Sequence, residues 1–207
     1  MSLSIEEVNE IKRAPDVASV LPVFHTRWSP RSFTDRAVSP ADLAKVFEAA
    51  RWAASSFNEQ PWRYFVGYEG SETYQKIFTT LAPFNQVWVP AAPVLIAGVA
   101  RTRFSHNESP NRFGLYDLGA ATACLTLQAA ALGIATHQMG GFDPEALLKA
   151  FEVPAEYVCG SVMALGYQGE PDALPNEQFR AQEVAPRTRK ALGEFVFSAW
   201  DTPADLG

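Results

Sequence analysis

The feature that most constrains this chain is a long alanine-rich stretch, Phe113–Leu132, which is apolar on most of its faces. A helix of this composition has to be buried on several sides, so other helices and strands must surround it. The apolar run is interrupted at Gln128 and Gly133 and does not reach the length of a membrane span. We therefore expect a globular protein without a membrane segment.

Predicted strands and helices alternate along the chain. Apolar runs predict strands at 62–68, 92–100, 134–139 and 157–167. Helical periodicity and capping residues, such as Ser39 followed by Pro40, predict helices at 4–14, 40–54, 71–81, 113–132 and 143–151. The alternation indicates an α/β or α+β protein. With 207 residues, of which 47% are hydrophobic, we expect a single domain, residues 1–207.

Both ends of the chain differ from the middle. Residues 1–23 are expected to form a helical extension, with Ser4 and Glu7 as a capping box and further helical turns at 15–24. From Gly169 onward the chain turns polar and proline-rich, and looks too extended to pack on its own domain. We expect this tail, about residues 170–207, to wrap a partner subunit.

Charge and cysteine usage exclude several classes of protein. A formal net charge of −6 argues against a nucleic-acid partner, because such proteins neutralise phosphates with a basic patch. Cys124 and Cys159 lack the spacing of a metal site and are expected to be buried thiols, which suits a reducing cytoplasm. The three histidines form no recognisable metal cluster or catalytic triad, so neither a metal nor a catalytic side chain is expected.

One arginine-rich segment has the composition of a phosphate clamp. Arg27, Ser29 and Arg31 place two guanidinium groups and a hydroxyl close together, and the rigid guanidinium fork matches phosphate oxygens. Late in the chain, Arg187 and Arg189 would join this clamp if the tail folds back. Taken alone, such a pattern is more often produced by solvated arginines, or by arginines paired with acids such as Asp35 or Glu48.

Two other segments suit a flat, neutral, polar ligand. Ser55, Ser56 and Asn58 cluster hydrogen-bonding groups at a helix exit. Gly140 and Gly141 precede a capped helix, so the backbone can approach a planar ring and direct its N–H groups toward it. An ordinary loop and a flexible strand-to-helix turn are the alternative interpretations.

In this order, the segments resemble the FMN-dependent nitroreductase family. The resemblance rests on Arg-x-Ser-x-Arg-x-Phe, beginning at Arg27, paired with Ala-Ala-Arg-Trp-Ala-Ala-Ser-Ser-x-Asn-x-Gln-Pro-Trp, beginning at Ala49. It extends from about Phe24 to Phe197. It implies an α+β three-layer sandwich, with a central, mostly antiparallel sheet and a long buried core helix, here residues 113–132. It further implies an interlocked homodimer with FMN at the subunit interface.

The resemblance also assigns the phosphate end of the FMN site. Arg27, Ser29 and Arg31 would contact the phosphate and the ribityl chain, and Arg187 and Arg189 would complete the pocket. Trp28 stands where many members have Arg or His, so its contact would come through the backbone.

The ring end of the site would be shared between subunits. The second subunit would supply Ser55, Ser56 and Asn58. Asn85 would touch the isoalloxazine edge, and the backbone N–H groups of Gly140 and Gly141 would lie near flavin N5. Asp117 and Gly119 match a packing feature of the core helix. One departure is Ala54, where the family usually has proline, and Phe195–Phe197 resembles the tail that adds a strand to the partner's sheet.

The family's chemistry implies an oxidoreductase that takes hydride from NAD(P)H by a ping-pong mechanism. Its acceptors would be nitroaromatics, quinones or similar small aromatic electrophiles, in a site shaped by the loop 101–111 and by some of the aromatic residues Phe84, Trp88, Phe104 and Phe113. Arg63 and Asn85 are candidate donors to the flavin pyrimidine ring. The choice between NADH and NADPH stays open because no Gly-x-Gly-x-x-Gly motif is present.

Three alternative functions remain at this stage. The first is another reaction of the same fold, such as dehalogenation, azoline dehydrogenation or flavin destruction. The second is a non-catalytic flavin-binding or interaction protein. The third is an α/β binding domain without flavin.

Overall fold

The structure of the protein is a computed structural model that describes residues 3–15 and 20–206. The described helices are α1 (Ile5–Lys12), α2 (Pro22–Thr26), α3 (Pro40–Arg51), α4 (Glu72–Phe78), α5 (Pro83–Gln86), α6 (Gly114–Ala131), α7 (Pro144–Ala150) and α8 (Glu177–Val184). The described strands are β1 (Trp62–Tyr68), β2 (Val94–Arg101), β3 (Ala135–Met139), β4 (Tyr157–Gly166), β5 (Phe197–Ala199) and β6 (Thr202–Pro203). The helical turns predicted at 15–24 correspond in part to α2, and positions 16–19 lie outside the described residues.

The main sheet is antiparallel and has the strand order β1-β2-β4-β3. Trp62 of β1 lies opposite Ala100 of β2, and Ala135 of β3 lies opposite Gly166 of β4. β2 is buried along nearly its whole length, which explains why it reads as a continuous apolar run.

Helices cover both faces of this sheet. Because side chains alternate along a strand, Val94 and Ile96 of β2 pack in one core cluster with α3 and α6. Leu95 and Ala97 pack in the other cluster, with residues of α4, α7 and α8. The predicted α+β three-layer sandwich is therefore confirmed.

The long helix α6 is covered on only part of its circumference. Leu118 and Leu125 are buried on the side that faces the sheet and α3. Leu115 and Tyr116 lie on another side, and Tyr116 is 77% exposed. Gly133 adopts a φ of +71°, the left-handed conformation that commonly ends a helix. One chain thus leaves an apolar face of its central helix open to solvent.

The prediction that the tail is too extended to pack on its own domain is wrong for its first part. The Asn176 side chain caps α8 by accepting a hydrogen bond from the Phe179 amide, and Phe179 and Leu174 are buried in the chain's own core. Pro171 and Pro175 stand before α8, where proline does not interrupt helical hydrogen bonds. After Val184 the chain is mainly exposed and ends in the hairpin of β5 and β6, so partner wrapping stays a prediction there.

Local predictions at the N-terminus and the cysteines have different outcomes. Ser4 and Glu7 form the predicted capping box of α1. Cys124 and Cys159 are free, but both are only half-buried, so the expectation of fully buried thiols is wrong. No helix among the described residues is long and apolar enough to cross a membrane.

Candidate functional site

Residues 25–32, here called the first arginine segment, lie against the late arginine segment, residues 187–189. The Arg27 guanidinium donates to Ser29 Oγ at 3.4 Å. Arg187 donates one Nη group to the main-chain oxygen of Arg27 and the other to that of His25, each at 2.6 Å. The tail therefore folds back onto the first arginine segment. Both Nη groups of Arg187 are hydrogen-bonded to the main chain of that segment and hold it in place.

The guanidinium groups of Arg27, Arg187 and Arg189 repel one another. Together with Arg31 they are called the arginine cluster below. Burial lowers the pKa of Arg27, and the nearby charge of Arg189 lowers it further. Burial also lowers the pKa of Arg187, with added repulsion from Arg189 and Arg27. A cluster of this kind stores electrostatic repulsion that an anion would relieve.

In the described part of the chain, no carboxylate forms an ion pair with the guanidinium groups of this cluster. Within residues 3–15 and 20–206, the ion pairs join Lys45 to Asp42, Arg51 to Glu48, Lys76 to Glu72 and Arg101 to Glu108. None of them includes Arg27, Arg31, Arg187 or Arg189. The alternative pairing with Glu48 is wrong because Glu48 accepts hydrogen bonds from Arg51 and from the Trp52 indole.

Two buried donors in the cluster are unused. The Nε atoms of Arg31 and Arg187 are buried and have no hydrogen-bond partner in the part of the chain that the structure describes. The Arg31 guanidinium lies 6.0 Å from the ring centre of Phe84 and 5.8 Å from that of Phe179. Buried polar groups without partners are uncommon in native proteins, so these donors indicate a missing acceptor.

The Trp28 side chain contacts α1. Trp28 is 8% exposed, its Nε1 donates to Asn9 Oδ1 at 3.0 Å, and Lys12 Nζ lies 4.7 Å from its ring centre. A contact between the Trp28 backbone and FMN stays a prediction.

His137 lies behind the arginine segment in its neutral form. Its Nδ1 is 3.0 Å from the main-chain oxygen of Pro30, and its ring centre is 4.7 Å from that of Trp88. Burial, together with the Arg31 charge, lowers the pKa of His137 to about 4. The histidine therefore acts as a structural hydrogen-bond donor at neutral pH.

The glycine pair is tied to the arginine segment through α5. Asn85 Nδ2 donates to the main-chain oxygen of Gly141 at 2.9 Å, and Trp88 Nε1 donates to Asn85 Oδ1 at 3.3 Å. A Cβ at Gly141 would lie 2.9 Å from Asn85 Nδ2, so a side chain at this position would displace the Asn85 amide. Phe84, beside Asn85, contacts Arg31, which links the glycine pair to the cluster.

The serine loop, residues 55–60, makes its contacts with elements other than those that hold the arginine cluster and the glycine pair. Ser56 N donates to Asp117 Oδ2 of α6 at 3.1 Å, and Gln60 N donates to Ser55 Oγ at 3.0 Å. Phe57, Asn58 and Gln60 all have positive φ, an uncommon and costly conformation for residues other than glycine. Such strain is often found at functional sites.

The serine loop is joined to the loop 101–111. Glu59 accepts hydrogen bonds from the amide and the hydroxyl of Ser105 at 2.9 and 3.1 Å. Phe57 lies 5.5 Å from Phe104 and 5.8 Å from His106, measured between ring centres. The contacts described for the serine loop therefore run to α6 and to the loop 101–111, whereas Arg27, Arg31, Arg187, Asn85 and Gly141 are connected to one another. Arg63, a predicted ring donor, instead donates to main-chain oxygens of Gln60 and Trp62.

Sequence reasoning missed one charged residue of the site, Glu183. Glu183 is 1% exposed and lies against the Arg31 backbone. It follows Phe179 by four residues, which places both side chains on one face of α8. The spacing of four residues between Phe179 and Glu183 was the signal that could have indicated a helix with one buried face. Because the tail is mostly polar, this spacing did not stand out in the sequence.

Comparison with known proteins identifies relatives over most of the chain. A model of the Nitroreductase family matches residues 25–86 and 72–167. A protein of Archaeoglobus fulgidus, named as a candidate NADH dehydrogenase/NAD(P)H nitroreductase, is 33% identical over 151 residues, which are 71% of this chain and 84% of that protein. The major NAD(P)H-flavin oxidoreductase of Aliivibrio fischeri is 27% identical over 84% of this chain and 97% of its own.

Solved structures agree with these relatives. The chain matches the crystal structure of an oxidoreductase containing FMN with a TM-score of 0.83 and 30% sequence identity, over 90% of this chain and 94% of that one. A candidate nitroreductase from Exiguobacterium sibiricum, solved in complex with FMN, matches with a TM-score of 0.70 at 21% identity, over 89% of this chain and 98% of that one. The second match concerns the fold alone.

The family match covers the first arginine segment, the serine loop and the glycine pair, which are the segments from which the candidate site is built. The protein of 33% identity extends over more than two thirds of the chain. The chain therefore belongs to the nitroreductase family.

Proposed function

We propose that this chain is an FMN-dependent oxidoreductase that takes hydride from NAD(P)H and reduces nitroaromatics, quinones or similar electrophiles by a ping-pong mechanism. The observation that carries the proposal is the arginine cluster, which combines unused buried donors with guanidinium groups that form no ion pair among the described residues. A phosphate ester fits this donor set because it supplies both the acceptor oxygens and the negative charge.

The residues present suit FMN in particular. Arg27, Ser29, Arg31 and Arg189 would hold the phosphate, with Arg187 bracing the first segment and offering its free Nε. An FMN-containing oxidoreductase at 30% identity, and relatives named for flavin reduction, support this assignment.

The glycine pair would position the ring end of FMN. Bound FMN would supply the ring nitrogen that accepts hydride from NAD(P)H, and it would pass those two electrons on to the acceptor. Gly140 has open space around its Cβ position, so its backbone can lie close to a planar ring. Asn85 keeps one amide N–H free after bonding to Gly141, and it can donate that group to the ring edge.

A second copy of the chain would complete the site. In this homodimer, Ser55, Ser56 and Asn58 approach the ring bound by the partner. The open face of α6 includes Tyr116, which is next in sequence to Asp117, the residue that anchors the serine loop, and Phe57 of that loop is 81% exposed. Exposed apolar surface of this kind is typical of subunit interfaces. The C-terminal hairpin, with Trp200 94% exposed, is the proposed partner-wrapping segment.

The acceptor would bind beside the serine loop. Phe57, Phe104 and His106 bring three rings within 5.4–5.8 Å of one another, measured between ring centres. Phe57 and His106 are exposed and Phe104 is buried beneath them, and exposed rings favour flat aromatic electrophiles by stacking. NAD(P)H and the acceptor would occupy this place in turn, which is why we propose ping-pong turnover. The half-buried free cysteines suit a reducing compartment, and we propose the cytoplasm.

The test starts with the absorbance spectrum of the purified protein. We expect flavin bands, which bleach when NADH or NADPH is added without oxygen and return when menadione or a nitrofuran is added. Colour without bleaching would indicate a non-catalytic flavin protein. Bleaching without turnover of either acceptor would indicate another reaction of the same fold, and a colourless protein that binds no added FMN would contradict the proposal.

A further inference from the structure

Glu183 is a buried carboxylate bonded to the backbone of the first arginine segment. Its Oε1 accepts hydrogen bonds from the amides of Arg31 and Ser32 at 2.9 and 3.1 Å, and its Oε2 accepts from the Arg31 amide at 3.1 Å. Both amides lie in a segment outside the helices and the main sheet, so the carboxylate is the partner that they need.

The surroundings of Glu183 are cationic. Burial raises the pKa of Glu183, while the hydrogen bonds from Ser32 and Arg31 and the charges of Arg31 and Lys12 oppose that rise. Lys12, itself buried, donates from Nζ to the main-chain oxygen of Gln182 at 3.0 Å. The carboxylate thus stands between a cation from α1 and a cation of the arginine cluster.

The residues around the end of α8 tie the first arginine segment down at several points. Glu183 holds the amides of Arg31 and Ser32, and Arg187 holds the main-chain oxygens of His25 and Arg27. The backbone that carries the predicted phosphate ligands is therefore fixed on both sides by residues more than 150 positions away in sequence.

We propose that Glu183 is a positioning residue for the phosphate end of the flavin site. By holding the Arg31 and Ser32 amides, it fixes the backbone from which the Arg31 guanidinium reaches between Phe84 and Phe179. It does not touch the phosphate, and its effect on cofactor affinity is exerted through Arg31. The inference rests on the proposed function and extends it to a residue outside the motifs.

The experiment compares FMN with riboflavin, which has the same ring and lacks the phosphate. Flavin-free protein is titrated with each compound, and the quenching of flavin fluorescence gives the two dissociation constants. In Glu183→Gln an amide NH₂ replaces one acceptor and faces the Arg31 amide donor. We expect FMN binding to weaken about tenfold, the loss of roughly one charge-assisted hydrogen bond, and riboflavin binding to change less than about threefold.

Glu177→Gln is the matched control, because Glu177 lies on the same helix and is exposed. We expect it to leave both dissociation constants unchanged. If Glu183→Gln weakens FMN and riboflavin equally, the residue is merely structural and the inference is overturned. An unchanged FMN affinity overturns it as well.

Circular dichroism would reveal whether Glu183→Gln misfolds. If it does, a second variant, Glu183→Asp, tests the same inference. Glu183→Asp keeps the charge and withdraws the oxygens by one bond, so we expect FMN binding about threefold weaker at unchanged riboflavin affinity. Equal affinities for wild type and Glu183→Asp would overturn the inference. Wild-type protein that binds no FMN overturns the proposed function itself, so the two failures are distinguishable.

Discussion

Arg27 is the residue whose surroundings most clearly call for an anion. Its guanidinium donates to Ser29 Oγ, and its pKa is lowered by burial and by the neighbouring Arg189 charge. Replacing it removes a charge-assisted hydrogen bond to the phosphate, which is worth about 1.5–3 kcal/mol. The partial loss of mutual repulsion within the cluster offsets only a part of this.

We therefore predict that Arg27→Ala weakens FMN binding roughly 10- to 100-fold and riboflavin binding much less. Fluorescence titration of flavin-free protein measures both affinities. Arg36→Ala is the control, since Arg36 lies over the Tyr167 ring and outside the cluster. A variant Arg27→Ala that retains wild-type FMN affinity would show that the phosphate lies elsewhere.

His137 makes the stability of the protein depend on pH. Its pKa is lowered to about 4 in the folded state by burial and by the Arg31 charge, against about 6.5 in the unfolded chain. The unfolded state thus binds more protons between these values, and the contribution of His137, fully present above pH 6.5, is lost as the pH falls toward 4.

We predict that this contribution falls by up to about 2 kcal/mol between pH 7.5 and pH 5. Urea unfolding at the two pH values measures the free energy of unfolding. In His137→Gln, which keeps an N–H donor for the Pro30 oxygen, the difference between the two pH values should shrink by that amount. An equal pH dependence in both proteins would show that His137 is not held neutral.

At the scale of elements, the serine loop depends on one contact with α6. Asp117 is buried and accepts the hydrogen bond of the Ser56 amide, at the start of a segment with three strained residues. The family resemblance predicted a packing role for Asp117. In the structure, Asp117 also anchors the serine loop. Without an acceptor, the buried amide loses its partner and the strain is no longer compensated.

We predict that Asp117→Ala lowers the free energy of unfolding by about 1–3 kcal/mol and exposes the serine loop to proteolysis. Urea unfolding and limited proteolysis, with the cleavage site identified by mass spectrometry, measure the two effects. Asp117→Asn retains an acceptor oxygen and should behave nearly as the wild type. Cleavage of all three proteins at the same rate and position would show that the loop is held by other contacts.

Secondary structure was predictable from local signals. The N-cap Ser39, the prolines at helix starts and the glycine after α6 placed helices correctly, because capping and backbone conformation act over a few residues. α8 was not predicted because its segment is polar and flanked by prolines. Its stability comes from burying Phe179 in a core that a local pattern does not reveal.

At the scale of the whole molecule, the two halves of the site lie in separate parts of one chain. The arginine cluster, Asn85 and Gly141 are connected to one another, whereas the serine loop is anchored on α6 through Ser56. In the proposed homodimer each flavin takes the first group from one subunit and the second from its partner. This arrangement makes activity depend on association.

Subunit complementation tests this directly. Arg27→Ala damages one group and Asn58→Gly the other, and glycine tolerates the positive φ at position 58. Each homodimer is defective in both sites, but a mixed dimer contains one intact site. We predict that mixed dimers, isolated through two different tags after co-expression, recover about half of the wild-type activity without added FMN. Mixed dimers no more active than the parents would contradict a shared site.

Local sequence patterns predicted the spans of most helices and strands and singled out the arginine and glycine segments, and the family resemblance predicted the three-layer class. These depend on periodicity, capping and residue chemistry, which operate between near neighbours in the chain. Contacts between distant elements, by contrast, show that Arg187 braces the Arg27 segment, that Glu183 holds the Arg31 backbone, and that one face of α6 is open to solvent. Contacts between residues more than 150 positions apart depend on which faces of distant elements pack together, and no local pattern records that choice.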